Sequence, residues 1–224
     1  MINVPFSLQQ KILHHIILHT YDLNEIGFMN GKAGIVSTLY IAGRTLKEPV
    51  YTDFADILLD NIIENMHKGL PIYFYNGICG IGWCLNFLLH EKFIFGNTSE
   101  ICEDINKIIM QINPNRLDDS MSFGFKGLIH YVLANISVSN NVPFDKDFLK
   151  NLYKRAINTQ NIANDYDLKI LCQNYCNFLE NKEWEYQFKI EQFINIQTHI
   201  TEKNYKQQEL SLYKGLCGSF LKMI

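Results

Sequence analysis

Short motifs bounded by two glycines recur along the chain at nearly regular intervals. Each of these glycine motifs has a first glycine, two further residues and a second glycine: Gly31 and Gly34, Gly77 and Gly80, Gly124 and Gly127, Gly215 and Gly218. The first glycines are 46 and then 47 residues apart, and the fourth motif follows the third by 91 residues, close to two more periods. A period of this length is typical of stacked helical pairs. The spacing therefore predicts a repeat protein in which one repeat has lost its glycines.

Two kinds of helical stretch alternate along the chain. The stretch from Ile78 to Leu89 is apolar around most of its circumference, which predicts a helix buried on several sides. The stretch from Tyr51 to Met66 has apolar residues at intervals of three and four between acidic ones, which predicts a surface helix with one buried face. The outer helix of a last pair is predicted from Tyr186 to Ile200. We predict five pairs of outer and inner helices, with inner helices near 31–44, 77–91, 124–137, 167–180 and 215–224.

The glycines have a mechanical role in this interpretation. A glycine in the first turn of a closely packed helix admits a neighbouring backbone where a Cβ would clash, and the first glycine of a motif can also take a positive φ. We therefore expect a bulky residue at Gly80 or Gly127 to destabilise the fold. Direct ligand binding by the glycines is the weaker alternative, because the motifs recur at places that cannot all belong to one site.

Composition limits the functions that are open to the chain. Its 224 residues, 47% of them hydrophobic, contain no Pro/Gly/Ser-rich linker, which predicts one domain over residues 1–224. A net charge of −3 without a dense basic stripe argues against nucleic acid as a partner. No apolar run approaches the ~20 residues of a membrane span, so no transmembrane segment is expected. Six cysteines without a secretion signal indicate reduced thiols and predict a cytoplasmic protein.

With the repeats in place, the chain resembles the lanthionine synthetase C-like family, the LanC-type cyclases of lantibiotic biosynthesis. Asn30–Ile35 and Gly77–Trp83 look like that family's Gly-x-Ala/Ser-Gly-Ile element, which opens each inner helix. The resemblance implies an all-α fold, namely a double-layered α/α toroid. With about five helix pairs, the toroid would be either closed or an open arc. It also implies a zinc ion that activates a peptide cysteine for addition to a dehydrated serine or threonine, which closes a thioether ring.

The chain departs from the family at the metal site. The resemblance implies zinc ligands from a Trp-Cys element and a Cys-His pair just before the motifs of late repeats. The pairs that precede the motifs here contain neither cysteine nor histidine: Met29-Asn30, Tyr75-Asn76, Ser122-Phe123 and Tyr213-Lys214. Trp83-Cys84 follows its motif instead of preceding one. We therefore expect a shortened relative or the front part of a toroid, in which the zinc expected for the family lacks its ligands.

Four cysteines have a placement that could serve a metal. Cys79 and Cys217 stand at the same position of their glycine motifs and are the candidate metal ligands, although small-residue packing beside a glycine explains them equally well. Cys172 and Cys176 share one helix face without a second nearby pair, which favours core packing.

The remaining candidates are titratable residues on or near the inner helices. His130 follows Gly127 by three and is the candidate acid or base, with a satisfied core histidine as the alternative. Asp118 and Asp119 could mimic the two carboxylates of α/α-barrel glycosidases. A turn explains them better, because adjacent residues point apart.

Three functions remain open. The first is a lanthionine synthetase C-like protein of ribosomal peptide modification, which we do not expect to catalyse cyclisation on its own because the zinc ligands are missing. The second is a non-catalytic module or scaffold that binds a peptide substrate, a leader peptide or a modification enzyme. The third is an α/α-barrel carbohydrate-active enzyme. Metal content separates the first from the second, and a pair of cavity carboxylates would favour the third.

Overall fold

Helices are the regular secondary structure of this protein. The computed structural model describes residues 6–66 and 69–224, and no strand occurs in these two stretches. The α-helices are α1 Leu8–Thr20, α2 Lys32–Leu46, α3 Pro49–Asn65, α4 Ile78–His90, α5 Thr98–Ile101, α6 Glu103–Ile109, α7 Phe125–Val138, α8 Lys146–Ile162, α9 Tyr166–Leu179 and α10 Leu216–Leu221. Short 3-10 helices lie at Pro114–Arg116, Ile190–Phe193 and Tyr205–Gln207. The predicted all-α fold class is confirmed. None of the helices described is both long and apolar enough to cross a membrane.

The chain divides into two compact units. The first contains residues 6–66 and 189–224 and holds α1, α2, α3 and α10. The second contains residues 69–188 and holds α4 to α9. The single domain predicted for residues 1–224 stays a prediction.

The unit of residues 69–188 is built around α4 and α7. These helices pack against each other, and each has eleven buried residues, out of thirteen in α4 and fourteen in α7. The helix α8 packs on α9, and α9 packs on α7. Only four of the seventeen residues of α8 are buried, on one face, as its narrow apolar stripe predicts. The helices α4 and α7 therefore form the core of this unit, and α9 and α8, each buried on one face, pack in succession against α7.

The unit of residues 6–66 and 189–224 is built around α2. This helix packs against α3 and α10, and ten of its fifteen residues are buried. The helix α3 starts at Pro49, where a missing N–H costs no intrahelical hydrogen bond, and it buries five of its seventeen residues. The predicted pairing of an inner with an outer helix is confirmed for α2 and α3.

The four glycine motifs share one loop conformation. In each, the N–H after the first glycine donates to the carbonyl seven residues earlier: Lys32 to Glu25 at 2.9 Å, Ile78 to Pro71 at 2.9 Å, Phe125 to Asp118 at 2.7 Å and Leu216 to Glu209 at 2.8 Å. The first glycines have φ between −135° and −105°, so the expected positive φ is wrong. Close approach explains the glycine instead, because a Cβ at Gly31 would lie 2.5 Å from the Glu25 oxygen.

Neighbouring motif loops are joined by equivalent backbone hydrogen bonds. In one unit the Phe74 N–H donates to the Ser122 carbonyl at 3.1 Å, and in the other the Leu212 N–H donates to the Met29 carbonyl at 3.0 Å. In both cases the donor residue stands three residues before the first glycine of its motif. The acceptor residue stands two residues before the first glycine of the other motif. The second glycine makes room for this junction, since a Cβ at Gly127 would lie 2.7 Å from the Phe74 Cβ.

The repeat without glycines forms a helix with a different burial. The helix α9 occupies Tyr166–Leu179, which confirms the helix predicted over residues 167–180. Only five of its fourteen residues are buried, all on one face, because polar residues such as Lys169 and Gln173 interrupt its apolar pattern. The helix that lacks a glycine motif therefore also lacks the all-round burial of α4 and α7.

The outer helix predicted from Tyr186 to Ile200 is wrong. Its first part is extended, and only Ile190–Phe193 forms a short 3-10 helix. Beyond it, the Asn195 N–H donates to the Tyr213 carbonyl at 2.7 Å, and a Cβ at Gly218 would lie 2.9 Å from Ile194 Cγ2. These are the contacts that a preceding motif loop makes elsewhere. The segment is not helical because its backbone occupies the position of a preceding motif loop, next to the motif of Gly215 and Gly218.

Candidate functional site

A tyrosine joins the two core helices of the 69–188 unit. Trp83 on α4 donates its Nε1–H to the Tyr186 hydroxyl oxygen at 2.6 Å, and Nδ1 of His130 on α7 lies 2.9 Å from the same oxygen. The hydroxyl oxygen has two lone pairs, so the tautomer of His130 decides which of the two groups donates in this second hydrogen bond. Burial also raises the pKa of Tyr186, so the phenol is neutral. We call these three residues the tyrosine bridge.

Aromatic rings surround the tyrosine bridge, in which Trp83 and His130 are buried and Tyr186 is partly buried. Phe87 stacks on Trp83 with ring centroids 5.4 Å apart, and Phe74 lies 5.9 Å from the His130 ring. Phe188 packs 5.7 Å from Trp83 on another side. In such surroundings an unpaired polar atom would be costly, which is why the three polar groups of the bridge bond to one another.

The histidine of the bridge is held in its neutral form. Burial lowers the pKa of His130 to about 3, nearby Lys126 acts in the same direction, and Asp165 opposes it. Lys126 and Asp165 themselves form an ion pair at 2.7 Å. The structure thus places His130 as a buried, hydrogen-bonded histidine, and its role as an acid or base stays a prediction.

Because His130 is neutral in the folded protein, the free energy of unfolding should depend on pH. In the unfolded chain a histidine takes up a proton near pH 6.5 and in the folded protein only near pH 3, so the unfolded state binds more protons between these values. Stability should therefore fall as the pH drops through this window, by about 2 kcal/mol at pH 5 from His130 alone. Urea unfolding of wild type and His130→Asn at pH 7 and pH 5 should show a smaller loss in the variant. His199→Asn, at an exposed position, is the control; an equal loss in wild type and His130→Asn would contradict the assignment.

The structure does not gather the cysteines into a metal site. All four candidates are buried, and burial raises the pKa of Cys79 well above its ordinary value, that of Cys217 to about 12, that of Cys172 to about 12 and that of Cys176 to about 11. At neutral pH these groups are thiols, whereas zinc binds thiolate. Across residues 6–66 and 69–224, no group of three or more His, Cys, Asp or Glu side chains could hold a metal ion. The residues described therefore do not fit the zinc that the family implies.

The two adjacent aspartates serve the local structure of a loop. Hydrogen bonds from the Ser120 side chain and from the Ser120 N–H, the latter at 2.8 Å, lower the pKa of the Asp118 carboxyl, as in a turn. Asp119 pairs with Arg155 at 2.6 Å. The two carboxylates therefore have different partners, and their arrangement gives no support to a glycosidase pair.

Sequence reasoning missed two of the three residues of the tyrosine bridge. Trp83 was assigned only to the apolar face of an inner helix, and Tyr186 to a surface helix. A signal for Tyr186 was nonetheless present, because aromatic and polar residues alternate strictly from Glu183 to Lys189. Such alternation is typical of an extended segment with one covered side.

Fold and site together define an all-helical repeat protein with a buried aromatic centre and without a metal-ligand cluster among the residues described. The family model for lanthionine synthetase C-like proteins matches residues 22–190, more than half of the chain. The chain therefore belongs to the lanthionine synthetase C-like family, as its glycine motifs indicate. The match spans α2 to α9 and includes the tyrosine bridge. Searches of curated proteins and of solved structures gave no significant match.

Proposed function

We propose that this protein takes part in the modification of ribosomally made peptides by binding a peptide, and that it does not close thioether rings on its own. Family membership over residues 22–190 supports the connection to peptide modification. The proposal that the protein does not close rings on its own depends on its cysteines. They are buried thiols, and among the residues described none belongs to a group of three or more possible metal ligands.

The argument against autonomous ring closure rests on donor chemistry. A zinc site that activates a substrate thiolate needs three protein donors that converge on one point and leave a fourth position open. Cys79 and Cys217 lie in different units of the chain, and both side chains are buried. Without a site of this kind, dehydration and ring closure fall to a partner enzyme, and the protein would hold the peptide for it in the cytoplasm.

Direct binding of a precursor peptide tests this proposal. The probe is a fluorescein-labelled lantibiotic precursor peptide with a leader and a Ser/Cys-containing core. We expect the purified chain to bind it with a Kd on the order of 1–10 μM, measured by fluorescence anisotropy. A shuffled peptide of the same composition is the control. Binding no tighter than that of the shuffled peptide would contradict the proposal.

A further inference from the structure

An extended segment lies across the core helices of the 69–188 unit. This segment, residues 183–188, is here called the strap. Its side chains alternate: Glu183, Glu185 and Gln187 are exposed, whereas the aromatic residues between them are partly buried. Strict alternation is the pattern of a peptide that lies extended on a surface, with every second side chain in contact with it.

The backbone of the strap contributes little to holding it in place. The N–H and C=O groups of residues 184–188 make no hydrogen bond with the described part of the chain. At the start of the strap, Asn177 Nδ2 donates to the Glu183 carbonyl at 3.1 Å. The strap is therefore held mainly by the contacts of its side chains.

Each aromatic side chain of the strap contacts aromatic rings on the helices, and Tyr186 and Phe188 share the Trp83 side chain. The first, Trp184, packs edge-on against Phe178 of α9 with ring centroids 5.4 Å apart. The second, Tyr186, forms the tyrosine bridge between α4 and α7. The third, Phe188, lies 4.5 Å from the ring of His90 at the end of α4. The strap thus lies on a surface of α4, α7 and α9, here called the groove, that receives every second side chain of the segment.

We infer that this groove is a peptide-binding site, and that the strap is its intramolecular occupant. The ligand class is an extended peptide with aromatic or large apolar residues at alternate positions. A central side chain able to bond with both Trp83 and His130 would bind best, because displacing Tyr186 leaves these two polar groups without that partner. The inference rests on the proposed function and adds to it the kind of peptide and a built-in competitor that sets the apparent affinity.

The test uses the strap sequence itself as the probe. A labelled hexapeptide, EWEYQF, should bind the full chain carrying Tyr186→Ala and Phe188→Ala about tenfold or more tighter than it binds wild type, since the wild-type strap competes at a high effective concentration. The control is EEQWYF, which has the same composition but adjacent aromatic residues. If the variant unfolds cooperatively yet binds both hexapeptides equally, the inference is wrong.

A second measurement on wild type decides the matter should the double variant not fold. The hexapeptide contains no lysine or arginine, whereas Lys182 and Lys189 flank the strap. Excess EWEYQF should displace the strap and speed tryptic cleavage after these two lysines, and EEQWYF should not. Equal cleavage rates with both peptides would overturn the inference. If the cleavage rates were equal but wild type bound the precursor, the inference would be wrong and the proposed function would stand. If the protein bound the hexapeptide but not the precursor, only the proposed function would be contradicted.

Discussion

Gly127→Ala should destabilise the protein, although alanine is the better helix former by about 1 kcal/mol. A Cβ at this position would lie 2.6 Å from the Met121 carbonyl oxygen and 2.7 Å from the Phe74 Cβ. Neither neighbour can withdraw freely, because the backbone of Phe74 is hydrogen-bonded to the next motif loop at Ser122. We expect a loss of about 2 kcal/mol for alanine and about 3 kcal/mol or more for valine.

Urea unfolding of matched variants measures this effect. Ser137 lies at an exposed position of the same helix α7, and its hydroxyl donates to the Ala134 carbonyl at 2.8 Å. Ser137→Ala and Ser137→Val therefore report helix propensity and the loss of this hydrogen bond, without a clash. Gly34→Ala repeats the test in the other unit, where a Cβ would lie 2.9 Å from the Leu212 Cβ. If Gly127→Ala were as stable as wild type, the glycines would not be required by close loop packing.

The glycine spacing was sufficient to place the core helices. Helices α2, α4, α7 and α10 each begin at the residue after a first glycine, and all but the shortest carry an apolar pattern that fits several buried sides. Local rules suffice here because the determinants, a tight loop and a helical period, lie within about fifteen residues of one another. The shared hydrogen bond of the four loops follows from the same local sequence.

The strap and the loop substitute after it could not be found by the same means. The contact between Trp83 and Tyr186 spans 103 residues, so no local pattern encodes it. The apolar residues between Tyr186 and Ile200 also fit a helical spacing loosely, and that pattern competes with the strict alternation of residues 183–189. The hydrogen bond between Asn195 and Tyr213 favours the non-helical conformation. Because it is a tertiary interaction, neither local pattern reveals it.

For the zinc ligands, too, the sequence predicted one part and the structure was needed for another. Residue types alone predicted that ligands would be missing, since no cysteine or histidine precedes a glycine motif. Burial of Cys79 and Cys217, which keeps both as thiols, depends on how α4 and α10 pack and needed the structure.

Zinc content measured together with ring formation tests the central claim most directly. The purified chain, dialysed and analysed for metals, should hold far less than one equivalent of zinc. A dehydrated precursor peptide incubated with it should keep its cysteines open to thiol alkylation, read by mass spectrometry. Cys84→Ala, at another buried cysteine, is the control for Cys79→Ala and Cys217→Ala. Zinc near one equivalent with ring formation, both lost in Cys79→Ala or Cys217→Ala but kept in Cys84→Ala, would contradict the account and identify those cysteines as ligands.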